Sequence, residues 1–150
     1  METLEILLAD DDLDDCLFFC EAVKELDINF NLRTVHDGEQ LMELLSNQLV
    51  TLPNVLFLDL NMPRKNGFEC LEEIKNNQNL LSLPVIVYST SFEQDVVNQL
   101  YRSGAQFYIR KPSVFLQFKK IIGLALSIIL SGDLKRPKSE LFVLTLQDSE

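Results

Sequence analysis

Short apolar runs alternate with amphipathic segments from residue 4 to about residue 131. LEILLA (4–9) has the unbroken apolarity of a strand buried on both faces, and LDDCLFFCEAVKELD (13–27) carries apolar residues at helical spacing. FNLRTVH (30–36) alternates like a strand with one wetter face, after which Asp37-Gly38 turns into the helix GEQLMELLSNQ. NVLFLDL (54–60) is a second buried strand, followed by a loop from Pro63 to Gly67 and the helix FECLEEIKNN. PVIVYS (84–89) is a third buried run, and EQDVVNQLYRS a helix that Gly104 closes. AQFYIR (105–110) is the last strand, ahead of a helix from Val114 to Leu130. Strands alternating with helices in this way predict an α/β fold, a parallel sheet covered on both faces.

In such folds ligands bind beyond the carboxyl ends of the strands, where the strand order reverses. The residues in that position are Asp10, Asp11 and Asp12 after the first strand, Asp59 to Asn61 at the third, Ser89 to Ser91 after the fourth and Lys111-Pro112 after the fifth. Acids, hydroxyls and a lysine should therefore converge on one edge.

The segment LADDDLDDC (8–16) places five carboxylates within six positions. At about 4 Å and an effective dielectric near 20, each neighbouring pair repels by roughly 4 kcal/mol, so a cation is expected nearby. Asp10, Asp12 and Asp14 fall at positions 1, 3 and 5 of a calcium-binding EF-hand loop, and Glu21 at position 12. Asp15, however, stands where that loop's sharp turn needs Gly, and a strand precedes it instead of a helix. Dividing the cluster accounts for it better. Asp10 and Asp11 point to the site, Asp12 caps the following helix, and Asp14 and Asp15 lie in the first turn, where the helix dipole favours negative charge. With Asp59, the first two make a hard oxygen site suited to a hydrated divalent ion such as Mg²⁺.

Charge and composition narrow the field. A net charge of -10 leaves no broad basic surface for nucleic acid. The chain opens METLE, acidic where an export signal is basic, and its longest apolar run, Ile121 to Leu130, is too short to span a bilayer. These features predict a cytoplasmic protein with neither a nucleic-acid nor a membrane partner. Cys16, Cys20 and Cys70 read as small buried hydrophobes. His36, the single histidine, ends the second strand away from the predicted site and reads as structural; one histidine cannot supply a zinc site or a Ser-His-Asp triad. No Gly-rich phosphate loop for ATP is present.

Taken together, ILLADDD, FLDLNMPRKNG, VYSTS and FYIRKP resemble the first-strand acids, phosphoacceptor segment, switch-hydroxyl strand and lysine-proline motif of the receiver domains of two-component response regulators. The resemblance covers residues 3–131 in order and spacing. It implies a (βα)5 doubly wound, flavodoxin-like sheet in strand order 2-1-3-4-5, with 132–150 left as a C-terminal linker and tail. DLNMPRKNGFECLEEIK and YSTS further resemble small single-domain regulators serving phytochrome-type and hybrid histidine kinases.

The resemblance implies that Asp59 takes a phosphoryl group from a kinase phosphohistidine, which suits a carboxylate because the protein's task is positioning and charge neutralisation around an in-line transfer. It implies Mg²⁺ held by Asp11, Asp59, the Asn61 backbone carbonyl and, through water, Asp10. A lysine at a strand end is ordinarily a surface residue, but Lys111 beside Pro112 and three acids is implied to pair with a phosphoryl oxygen, across a cis Lys111–Pro112 peptide. Ser89 is the implied switch hydroxyl, with Thr90 a competing choice, and Tyr108 the aromatic that swings inward with it, a two-state element biased by phosphorylation. Asn61 and Ser91 sit where family members tune loss of the phosphoryl group to water; neither is an acid or base, so self-hydrolysis should be slow. Such a protein catalyses only its own phosphorylation and dephosphorylation and is no enzyme otherwise.

The tail is too short for a DNA-binding output domain, so the signal should leave through protein contacts. At about 100° per residue, the apolar positions of the last helix cover an arc of about 200°, roughly twice what packing on a sheet needs. A second copy of the chain or its own tail should cover the excess. GDLKRPKSE (132–140) reads as a linker, and LFVLTL (141–146) is apolar and β-prone enough to dock or add a strand. A homodimer through the last helix and last strand, braced by the tail, is expected beside the kinase or phosphotransfer partner. The alternative class is a receiver-like scaffold that is never phosphorylated; such modules commonly lose a key site residue, and here all are present.

Overall fold

The computed structural model describes residues 3–91 and 93–146. Five strands, β1 (Leu4–Ala9), β2 (Phe30–Val35), β3 (Val55–Leu58), β4 (Val85–Ser89) and β5 (Phe107–Arg110), alternate with helices α1 (Leu13–Lys24), α2 (Gly38–Ser46), α3 (Gly67–Lys75), α4 (Gln94–Arg102) and α5 (Phe115–Ser131). All strand pairs are parallel, in the order β2-β1-β3-β4-β5. The predicted α/β architecture and strand order are those observed, with element ends shifted by up to three residues.

The central strands β3 and β4 are buried along their whole length, as their unbroken apolar runs require. Alternation then divides the core in two. Leu7, Leu56, Leu58, Val85 and Val87 pack with α2, α3 and α4, whereas Ile6, Leu8, Phe57, Ile86 and Tyr88 pack with α1 and α5. Local chemistry ends the helices where the sequence indicates: Asp12, Asp37 and Asn66 cap α1, α2 and α3, and Gly104 follows α4 with φ +98°, a conformation only glycine adopts without strain.

The wide apolar arc of α5 serves three neighbours. Phe118, Ile121, Ile122, Ala125, Leu126 and Ile129 are buried. Phe18 of α1 meets Phe115 and Phe118 at ring-centroid distances of 5.0 and 4.9 Å, and Leu144 of the tail joins the same cluster. Leu116, Leu124 and Leu130 remain exposed.

The chain's own tail takes up the free edge of β5. After a single 3₁₀ turn (Ser139–Leu141), Val143 pairs in parallel with Tyr108: the Tyr108 N–H donates to Phe142 O at 3.0 Å, and the Leu144 N–H to Tyr108 O at 2.9 Å. Phe142 is 1% exposed and its ring stands edge-on to Tyr101 at 5.2 Å. The Tyr101 hydroxyl donates to Pro137 O at 2.9 Å, and the Arg136 guanidinium lies over the Tyr101 ring. Of the predicted tail, residues 147–150 lie outside the described residues.

Candidate functional site

The sheet order reverses at β1, which has β2 on one side and β3 on the other, and the site forms at the ends of those strands. Backbone bonds extend the ladder into it: Asp10 N–H to Val35 O (3.0 Å), Asp59 N–H to Ala9 O (3.0 Å) and Lys111 N–H to Ser89 O (2.8 Å). Gly67 allows the chain after β3 to fold back closely, since a Cβ there would lie 2.4 Å from the Asp59 carbonyl oxygen. Asp59 is thereby held on backbone of fixed geometry.

Asp10, Asp11 and Asp59 each offer a carboxylate oxygen, and these oxygens lie within 4.8 Å of one another. Asp10 is wholly buried, Asp59 is 5% exposed and Asp11 faces solvent. Three hard anionic oxygens this close, two of them out of water, fit a divalent cation. Asp12 is turned away, accepting from the Asp14 and Asp15 N–H groups at 2.9 and 3.2 Å as the cap of α1. That arrangement matches the division of the acidic cluster and not a calcium loop.

Lys111 supplies the positive charge on the protein side. Its Nζ lies 2.9 Å from Asp15, 3.2 Å from Asp10 and 3.6 Å from Asp59, with the side chain only 10% exposed. Burial alone would lower its pKa; Asp59, Asp15 and Asp10 outweigh this and hold it above the ordinary lysine value. The Asp59 carboxyl is pushed up to about 7, first by burial, with Lys111 opposing and Asp10 adding to the rise. A divalent cation beside it would favour the ionised, nucleophilic form of Asp59.

The Lys111–Pro112 peptide is trans, which corrects the expectation of a cis bond. Trans is the lower-energy form of an X-Pro bond by about 0.5–1 kcal/mol. With it, the ammonium already reaches all three acids.

Ser89 is buried at the end of β4, where its Oγ accepts from the Ser91 N–H at 3.2 Å; Thr90 is exposed. Tyr108 is 2% exposed, and its hydroxyl donates to Ser91 O at 2.6 Å. The aromatic ring thus already lies inward, at the residue that the tail bridges. The Asn61 N–H donates to Asp59 Oδ1 at 3.4 Å, and its side chain is exposed at the rim.

Three contacts escaped the sequence reading. Asp15, taken only as a favourable first-turn charge, is the shortest of the Lys111 contacts; an acid three residues after a helix cap can reach back across the helix start, which was the available signal. His36 is not remote: its Nδ1 lies 3.1 Å from Asp10 O, a contact that becomes a hydrogen bond when Nδ1 carries the proton. Tyr88, opposite in facing to Ser89, donates its hydroxyl to Asp10 Oδ2. The cysteine expectation holds in part: Cys16 and Cys70 are buried, and Cys20 is half-buried. Burial, with carboxylates near, pushes the Cys16 thiol up to about 11 and so keeps it unreactive.

The sequence profile of the family described as "Response regulator receiver domain" matches residues 6–122. The chain belongs to that family. It is 36% identical over 110 residues to the response regulator Rcp1 of Synechocystis sp., covering 71% of this chain and 75% of that protein. Among solved structures it is similar to the phosphorylated cyanobacterial phytochrome response regulator RcpA, with TM-score 0.81, 30% identity and coverage of 87% of this chain and 96% of that one. It is likewise similar to the Mn²⁺-bound form of Rcp1, with TM-score 0.77, 30% identity and coverage of 90% and 99%. Receivers of this family are phosphoacceptor signalling proteins of two-component phosphorelays, not enzymes in the ordinary sense, and their partner is a histidine kinase. No described helix is long and apolar enough to cross a membrane.

Proposed function

We propose that this chain accepts a phosphoryl group on Asp59 from the phosphohistidine of a histidine kinase or phosphotransfer protein, and that the change is read by other proteins. The observation carrying this is the juxtaposition of a buried Asp59 with Asp10 and Asp11 on one side and the Lys111 ammonium on the other. An Asp59 oxygen attacks phosphorus in line, the P–O bond forms as the P–N bond to imidazole breaks, and the departing nitrogen keeps the bonding pair. Asp10, Asp11, Asp59 and the Asn61 carbonyl would hold Mg²⁺, which would neutralise charge on the phosphoryl oxygens. That such a cation belongs here is in keeping with the Mn²⁺-bound relative.

Lys111 moves from its carboxylate partners to a phosphoryl oxygen. Ser89 releases the Ser91 N–H and turns its hydroxyl to the phosphoryl group, and Tyr108, bonded to Ser91 O, senses the displacement of that loop. Asn61 and Ser91 set the rate of hydrolysis, slowly, since neither can act as a base.

The receiver occupies residues 3–131, and 132–150 form its linker and tail. A phytochrome-type kinase is the favoured partner, because RcpA, one of the similar proteins, is a phytochrome response regulator, and a cytoplasmic location follows from that role. A homodimer is built on α5 and the tail-covered edge of β5, with Leu116, Leu124 and Leu130 available for contact. A monomeric particle in solution scattering at micromolar concentration would contradict the dimer.

Radiolabelled phosphotransfer tests the main reading. A histidine kinase that has autophosphorylated should lose its label to this chain in Mg²⁺ and not in EDTA. Retention of the label by every phytochrome-type and hybrid kinase tried would favour the scaffold instead.

A further inference from the structure

Asp10 is a fully buried carboxylate with three donors. Its Oδ1 accepts from the Asp12 N–H at 2.9 Å, and its Oδ2 accepts from Lys111 Nζ at 3.2 Å and from the Tyr88 hydroxyl. Tyr88 is itself wholly buried, packed among Phe19 and the α1 and α5 side chains, and its ring face lies 4.3 Å from Lys111 Nζ. One side chain of the core thus touches both a carboxylate of the acidic triad and the lysine that faces it.

We propose that Tyr88 is a positioning residue of the phosphorylation site, its hydroxyl fixing the Asp10 carboxylate and its ring carrying the Lys111 ammonium. This rests on the phosphoacceptor reading of Asp59. When Lys111 turns to a phosphoryl oxygen, Asp10 loses a donor; the Tyr88 hydroxyl, anchored in the core, stays and keeps the carboxylate aimed. Without it, Asp10 Oδ2 is free to close onto Lys111 and away from the cation. The ring face offers the ammonium a favourable surface along its path, worth more because the Lys111 side chain is only 10% exposed.

Two variants separate these roles. Tyr88→Phe keeps the ring and removes only the hydroxyl; it should weaken Mg²⁺ binding to the unphosphorylated protein about tenfold by calorimetric titration, the usual cost of losing a partner that orients a metal ligand. Its phosphorylation rate by acetyl phosphate should fall at limiting Mg²⁺ and rise again as Mg²⁺ is raised. Tyr88→Leu removes the ring face as well and should slow that rate even at saturating Mg²⁺.

Wild-type Mg²⁺ affinity in Tyr88→Phe, whatever its folding midpoint, would overturn the proposal and leave Tyr88 a core residue. Should that variant fail to fold, wild-type protein labelled with carbon-13 at tyrosine Cζ is titrated with Mg²⁺, Tyr101→Phe and Tyr108→Phe assigning the signals. The Tyr88 signal should move with the binding curve, and a stationary signal would refute the idea. Failure of the parent reading looks different: wild type would bind Mg²⁺ and gain no phosphoryl group.

Discussion

Replacing Asp59 by Asn in metal-free protein should change how stability depends on pH. The Asp59 carboxyl is pushed from 3.8 up to about 7, by burial above all, with Lys111 offsetting part of the rise. Between those two values the folded state binds a proton that the unfolded state has lost. Stability therefore falls as pH rises from about 4 to about 7 and is level above that. About three pH units at 1.36 kcal/mol each give roughly 4 kcal/mol in all, an upper bound. Only about two of those units lie between about pH 5 and about pH 8, so the part open to measurement is at most about 3 kcal/mol.

Asparagine does not titrate, so the advantage of D59N over wild type in EDTA should widen by that amount between the two conditions. Urea unfolding followed by far-UV circular dichroism measures it, the chain having no tryptophan to serve as a fluorescence probe. Mg²⁺ at the higher pH should narrow the gap by stabilising the wild-type carboxylate alone. A gap that is constant or shrinks with pH in EDTA would refute the burial argument.

Three further substitutions probe the surroundings. Lys111→Met leaves Asp10, Asp15 and Asp59 without their shared cation and should cost about 3 kcal/mol in EDTA by urea unfolding, part of it recovered in saturating Mg²⁺. Gly67→Ala drives a Cβ to 2.4 Å from Asp59 O and 2.8 Å from Leu60 Cα, backbone that cannot yield cheaply; a loss of about 2 kcal/mol and a slower phosphorylation rate should be seen together. Phe142→Ala should weaken tail docking by about 3 kcal/mol, so that the Tyr108 and Leu144 amides lose hydrogen-exchange protection while those of β3 keep theirs; a uniform loss would show that the tail is no separate unit.

Much of this architecture could be read from the chain because period and burial agree. Short unbroken β-prone apolar runs such as VLFL, bounded by polar residues, fit central strands, and the aspartates before α1 and α2 announce those helix starts. The acidic site was legible for the same reason, since strand ends in a parallel sheet converge by topology. What stayed hidden depends on side-chain reach. Tyr88 lies in a run of strand residues where any aromatic would fill the core, and only the position of Asp10 two strands away gives its hydroxyl a partner. The Lys111–Pro112 isomer is a choice between two states of small energy difference, which the motif does not determine. The tail was read as able either to dock or to add a strand; it does some of both, bridging β5 at Val143, where the packing of Phe142 against Tyr101, a contact between residues distant in sequence, places it.

The central claim is that Asp59 becomes phosphorylated with the help of a divalent cation held by its acidic neighbours. Intact mass after incubation with acetyl phosphate, with Mg²⁺ or EDTA and beside Asp59→Asn, tests it most directly. The account predicts one added phosphoryl group, only with Mg²⁺, labile to hydroxylamine as an acyl phosphate must be, and absent from the variant. A phosphoryl group gained equally by Asp59→Asn, or no gain by wild type under any condition, would contradict it.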